Sequence, residues 1–218
     1  MPENFNIQHA VYTFYADVTP LRSDSLRSRL YAELPDFRKE KADRLRSLND
    51  QMLSIGAWSL LTHVRTLAGC PDDMPFNLSH SGKYVLASIG PDGRRVGCDI
   101  EMVREFREPV ARRFFCPSEY ESILSAPEEE RADLFCRFWV LKESFLKATR
   151  LGMKLGLDSF AFQLPHTPGI QAPVLIKQPP QFPEAYYFLE SGLPGRDARI
   201  AVCSDTPDIR PPRPEQIW

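Results

Sequence analysis

The sequence lacks the features that staple small secreted domains, bind zinc or cross membranes. Its five cysteines, at 70, 98, 116, 136 and 203, are odd in number and contain no C-x-x-C pair. That pattern argues for reduced thiols rather than disulfides or a zinc site. Cys98 and Cys203 lie in apolar strand-like runs and read as core residues. No apolar run approaches the roughly 18 residues that a membrane span requires. The polar opening MPENFNIQHA has no charged-then-apolar leader. A cytoplasmic protein with no membrane partner is expected. No sign of charge dominates either, since 27 Lys and Arg against 29 Asp and Glu leave a formal charge of −2. Nonspecific coating of nucleic acid needs a strongly basic surface, so no nucleic-acid partner is expected.

What is present suits a globular α+β chain, with 43% hydrophobic and 26% charged residues over 218 positions. Residues 10–18 read as a strand. Residues 23–37 read as helical until Pro35, and 38–69 as a basic helix with apolar Leu45, Leu48, Met52, Ile55 and Leu60 and a stop at Gly69. Two strands, 76–90 and 94–103, flank GPDG at 90–93, which predicts a hairpin turn. Helices then recur, ending in a long one over 128–151 with acids early and Gly152 after its end. FAFQL, VLIKQ, AYYFLE and ARIAVCS are strand candidates, and the proline-rich tail from Thr206 is expected to lie loosely on the surface. Each half runs from helices to antiparallel strands. The expected division is 1–103, 104–205 and a tail of 206–218, with the halves alike although no sequence repeat is evident.

The chemistry concentrates in two stretches. In VGCDIEMV, side chains alternate across a strand, so Gly97, Asp99 and Glu101 share the face opposite Val96, Cys98 and Ile100. The two acids stand about 7 Å apart along the backbone, close enough to disfavour joint ionisation. On the long helix, Leu134, Phe138, Leu141, Phe145 and Ala148 form one apolar stripe, and Phe135, Trp139 and Leu146 a second nearly opposite. Glu143 borders the second stripe, with Lys147 one turn further. Alone, Glu143 and Lys147 could be an exposed i,i+4 pair, and Asp99 and Glu101 solvent-facing acids that guard a strand edge. Brought together, three carboxylates suit Mg²⁺, which takes few protein oxygens and completes its shell with waters and substrate phosphates. Such a cation also offsets the repulsion between the acids. Lys142, Lys147, Lys41, Arg44 and His80 would supply the basic surroundings of a polyphosphate. His80 is one of four histidines; in FNLSHSG it is either a satisfied structural group or part of a phosphate-contacting turn.

Gly97-Cys98-Asp99-Ile100-Glu101, followed 40 positions after Asp99 by Trp139-Val140-Leu141-Lys142-Glu143 and then Lys147, resembles the 4′-phosphopantetheinyl transferases of the surfactin-synthetase-activating (Sfp) type. FNLSHSG (76–82), RRFFCPSEY (112–120) and LDSFAF (157–162) extend the resemblance over roughly residues 38 to 162. It implies a pseudo-dimer of two α+β halves with the active site in the cleft between them, acting as a monomer. It implies Mg²⁺-dependent transfer of the phosphopantetheine arm from coenzyme A to a serine of an apo acyl or peptidyl carrier protein, releasing 3′,5′-ADP. Carried over, Asp99, Glu101 and Glu143 would hold the metal, and Glu143 and Lys147, with Asp99, would be catalytic. Ser79, His80, Lys142 and Lys147 would contact coenzyme A phosphates, with Lys41 and Arg44 near the 3′-phosphate. Another Mg²⁺-dependent phosphotransferase or phosphohydrolase, or a non-catalytic carrier-binding module, stays open at this point.

Overall fold

The computed structural model describes residues 5–165, 171–195 and 197–218. The first strand, β1 (Tyr12–Asp17), leads into helices α1 (Asp24–Ala32), α2 (Asp36–Asp43) and α3 (Leu48–Ala68). Strands β2 (Phe76–Ser81), β3 (Tyr84–Ile89) and β4 (Val96–Met102) follow, then helices α4 (Glu108–Phe114), α5 (Pro117–Leu124) and α6 (Glu128–Thr149). The chain ends with β5 (Ala161–Gln163), β6 (Val174–Lys177), β7 (Tyr187–Gly192), β8 (Ala198–Ser204) and β9 (Arg213–Pro214). It is an α+β fold of helices packed on largely antiparallel sheets, with strand orders β2-β3-β1-β9, β4-β8-β7 and β5-β6.

Each of the two larger sheets carries one long helix. The 21-residue α3 buries Leu53, Leu60, Leu61 and Val64 against the first sheet. The 22-residue α6 lies on the second sheet and buries Phe138, Leu141 and Phe145 among Phe160, Phe188 and Ala201. A third cluster joins the sheets back to back: Leu86 of β3, Cys98 and Ile100 of β4, and Ile200 and Val202 of β8 are all inaccessible to water. Burying a side chain of this size contributes roughly 1.5–3 kcal/mol. The strand β4 is thus covered on both faces, by this apolar cluster and by α6.

Several sequence expectations are corrected. Residues 76–90 form a hairpin rather than one strand, because Gly82 takes a left-handed φ of 61° and turns β2 back onto β3. Residues 90–93 do not close a hairpin: β4 leaves β3 and pairs antiparallel with β8, Asp99 opposite Ala201 and Glu101 opposite Arg199. The helix expected over 38–69 is two helices, because Ser47 caps α3 by accepting the Asp50 amide at 3.0 Å. Gly69 ends α3 in the left-handed conformation, as read. The tail is not loose. Its β9 extends the free edge of β1 in parallel, Trp218 Nε1 donates to the Asp17 carbonyl at 2.9 Å, and the indole packs over Gly56. Apolar Ile217 and Trp218 gain more from that core than from water. All five cysteines are free, and Cys98 and Cys203 are buried. Among the described residues no helix is long and apolar enough to cross a membrane.

Candidate active site

Three elements converge where the sheets meet: β4, α6 and the β2 strand. The convergence depends on Gly97. A Cβ there would overlap the Ser144 carbonyl and the Ala148 amide, so only glycine lets β4 lie flush against the α6 backbone. That close approach sets Asp99 beside the helix face that carries Trp139, Glu143 and Lys147, spaced i, i+4 and i+8. All four, with Glu101, line one cavity of about 400 Å³. The same cavity is lined by Ser79 and His80 from β2 and by Arg38 and Lys41 from α2. The lining therefore brings acidic and basic side chains into one cavity.

Asp99 is the best-held group. Its Oδ1 accepts from Lys147 Nζ at 2.7 Å and from Ser79 Oγ at 2.8 Å, and Lys147 also donates to Ser79 Oγ at 2.8 Å. Its Oδ2 is buried without a hydrogen-bond partner among the described residues. Glu101 Oε2 accepts from Ser81 Oγ at 2.7 Å. Glu143 is half-buried beside Trp139. Burial raises the proton affinity of Asp99, and the Lys147 ammonium only partly offsets it. Burial and then the Asp99 charge raise Glu101 and Glu143 as well. Burial, the largest single effect, opposes the charge on Lys147, but Asp99, Cys98 and Glu143 together lift Lys147 above the ordinary lysine value. Partial desolvation, then the charges of Lys147 and Lys41, hold His80 below the usual histidine value. Negative charge is thus crowded into a poorly solvated corner, a condition that a divalent cation relieves.

The structure brings Asp99, Glu101, Glu143, Lys147, Ser79, His80 and Lys41 to one cavity. It does not bring Arg44, whose exposed guanidinium lies 3.5 Å from Glu40 across one helical turn. The expected phosphate contact from Lys142 is corrected. That side chain is fully buried on the opposite face of α6, where Nζ meets Glu119 Oε2 and the Leu157 and Phe160 carbonyls, each at 2.8 Å. Adjacent residues on a helix diverge by about 100°, so Lys142 and Glu143 do not share a face. Sequence reasoning missed Arg38. Its Nη2 donates to the Ser54 carbonyl at 3.1 Å, its guanidinium stands 5.0 Å from the Trp58 ring centroid, and its Nε is buried without a hydrogen-bond partner among the described residues. The available signal was its i,i+3 spacing from Lys41.

Among the described residues, no group of three or more His, Cys, Asp and Glu side chains is already drawn together as a metal cluster; the Lys147 ammonium stands against Asp99 instead. The donor set nevertheless fits Mg²⁺. It is all oxygen, it lines one cavity, and Asp99 Oδ2 is a buried acceptor without a hydrogen-bond partner among the described residues.

The sequence model of the 4′-phosphopantetheinyl transferase superfamily matches residues 95–203, half of the chain. The chain belongs to this superfamily. The matched span holds the β4 acids and all of α6. Among curated relatives, the 4′-phosphopantetheinyl transferase Sfp of Bacillus subtilis (strain 168) is 36% identical over 151 residues, 68% of this chain and 62% of that one. The 4′-phosphopantetheinyl transferase psf-1 of Bacillus pumilus is 42% identical over 89 residues, 41% of this chain and 37% of that one. The 4′-phosphopantetheinyl transferase HetI of Nostoc sp. is 42% identical over 80 residues, 36% and 33% of the two chains. The alignments span less than two thirds of these relatives' lengths.

Proposed function

We propose that the protein is a Mg²⁺-dependent 4′-phosphopantetheinyl transferase, which moves the phosphopantetheine arm of coenzyme A to a serine of an apo acyl or peptidyl carrier protein and releases 3′,5′-ADP. The observation that carries this reading is the cavity lined by Asp99, Glu101 and Glu143 together with Arg38, Lys41 and His80. Polyphosphate needs both: cations for its oxygens and an acidic pocket for its metal. The superfamily relationship supplies the reaction. We read the two sheet-and-helix units, built on α3 and α6, as the halves of a pseudo-dimer with this cavity as its cleft, acting as a monomer in the cytoplasm.

The chain's own groups have separable tasks. Arg38, Lys41 and His80 hold the nucleotide phosphates, and Ser79 fixes Asp99. Mg²⁺ bound by Asp99, Glu101 and Glu143 would supply charge neutralisation on the pyrophosphate. Glu143, whose proton affinity is raised, accepts the proton of the incoming serine hydroxyl. The serine oxygen forms the new P–O bond, and the P–O bond to 3′,5′-ADP breaks. Lys147 faces the charge that develops on the leaving oxygen. Incubation with coenzyme A, Mg²⁺ and an apo-carrier protein, followed by mass spectrometry of the carrier, tests this. A phosphopantetheine mass gain is expected from the wild type and none from Glu143→Gln, with the variant still folded by circular dichroism. Turnover by Glu143→Gln would remove Glu143 from its role, and an unmodified carrier with the wild type would remove the assignment.

A further inference from the structure

β2 and β4 run side by side in parallel without forming a backbone ladder. Side chains of β2 fill the gap. Asn77 Oδ1 accepts from the Cys98 amide at 3.0 Å, Ser79 Oγ from the Ile100 amide at 3.4 Å, and Ser81 Oγ from the Met102 amide at 3.2 Å. The same two serines donate to the carboxylates of the intervening residues, Ser79 to Asp99 and Ser81 to Glu101. Each serine therefore binds both a backbone amide of β4 and the acid that precedes it. The alternation of Asn77, Ser79 and Ser81 matches that of Asp99 and Glu101, a consequence of the two-residue period of both strands.

The consequence for the acids follows from hydroxyl chemistry. A serine has one hydrogen to donate. At Ser81 the Met102 amide takes a lone pair, which turns that hydrogen toward Glu101 Oε2. The carboxylate is then anchored to its own strand through β2, and Oε1 is left without a protein hydrogen bond among the described residues. Ser81 is buried and does not line the cavity. We propose that Ser81 is a positioning residue, whose hydroxyl presents Glu101 to the cation of the site across the seam between β2 and β4. This rests on the transferase reading for the identity of the cation's substrate, but not for the seam itself.

The test compares Ser81→Ala and Ser81→Thr with the wild type. Mn²⁺ affinity is measured by electron paramagnetic resonance with coenzyme A present, alongside coenzyme A affinity, melting temperature and the Mg²⁺ dependence of transfer. Hydrogen-bond partners of metal ligands typically carry 10–100-fold in affinity, and a loss of about that size is expected for Ser81→Ala. Coenzyme A affinity should stay within about twofold, and the hydroxyl of Ser81→Thr should restore Mn²⁺ binding. Wild-type Mn²⁺ affinity in Ser81→Ala overturns the proposal. So does a parallel fall of melting temperature and both affinities that Ser81→Thr fails to rescue, because that marks a spacer rather than a positioner. If the wild type modifies no carrier yet Ser81→Ala still weakens Mn²⁺ binding, the transferase reading fails and the positioning role stands.

Discussion

Helix α6 carries two lysines five residues apart, each paired with a buried carboxylate, and their fates differ. Lys142 meets Glu119 in the interior, where neither side chain has any exposed surface. Lys147 meets Asp99 with a quarter of its side chain open to the cavity. Five residues at about 100° each place them about 140° apart around the helix. Lys142 faces α5 and the segment that enters β5; Lys147 faces β4. The first pair closes all its valences: Glu119 also accepts the Cys116 and Phe162 amides at 2.9 Å. The second leaves Asp99 Oδ2 bare. The same ion-pair chemistry closes on itself where every acceptor is filled and leaves an acceptor open where one is not.

Removing each lysine should separate the two roles. Lys142→Met leaves the Glu119 charge buried without its cation, which costs about 3–5 kcal/mol. Urea denaturation should show that loss, with transfer by the remaining folded enzyme little changed per molecule. Lys147→Met should do the reverse, cutting transfer about 10²–10³-fold, the range for losing one preorganised charge stabiliser. Its urea midpoint should move less, since Asp99, whose proton affinity burial already raises, can take up a proton when the ammonium is gone, and Ser79 stays beside it. Equal effects of the two variants on stability and on turnover would erase the distinction between the closed pair and the open one.

A smaller effect tests how α6 is held against β4. Gly97→Ala places a methyl on the α6 backbone, which cannot yield as a flexible side-chain tip can. Overpacking of this kind costs about 1–3 kcal/mol. Because the displacement separates Asp99 from Glu143 and Lys147, transfer should fall in the folded variant too. The Lys142–Glu119 pair lies on the far side of α6 and should be undisturbed. Unchanged turnover in Gly97→Ala would mean that the flush contact serves packing alone.

How far the sequence disclosed this arrangement depends on the range of the interaction. The α+β class, the long α6 and the Gly69 cap follow from local periodicity and turn chemistry, and they appear as read. The alternation that puts Asp99 and Glu101 on one face, and the helical spacing of Trp139, Glu143 and Lys147, are equally local. The partner of β4 is not: pairing with β8 links residues about a hundred positions apart, and no period in the sequence records it. The 76–90 hairpin was hidden because its only breaker is one glycine within an otherwise strand-like run. Lys142 misled because a motif fixes order along the chain, whereas the helix assigns neighbours to different faces. The tail misled because its prolines suggested a loose segment, while Ile217 and Trp218 beyond them were enough to anchor it.

The basic lining gives the smallest contrast. Lys41 and Arg44 are three residues apart near the end of α2, yet only Lys41 lines the cavity. Arg38, one turn earlier, lines it with Lys41, and its buried Nε has no acceptor among the described residues. Burial lowers the proton affinity of both Arg38 and Lys41, and Arg38 adds to the effect on Lys41, so an anion between them satisfies two desolvated cations at once. Lys41→Ala should therefore raise the KM for coenzyme A about tenfold, the scale of one charge-assisted contact of 1.5 kcal/mol or slightly less. Arg44→Ala, which removes only an exposed pair with Glu40, should leave KM and melting temperature where they are. A matching rise in KM for both variants, in steady-state assays at fixed ionic strength, would show that the helix acts through its overall charge. A rise for Lys41 alone places the contact at the cavity wall.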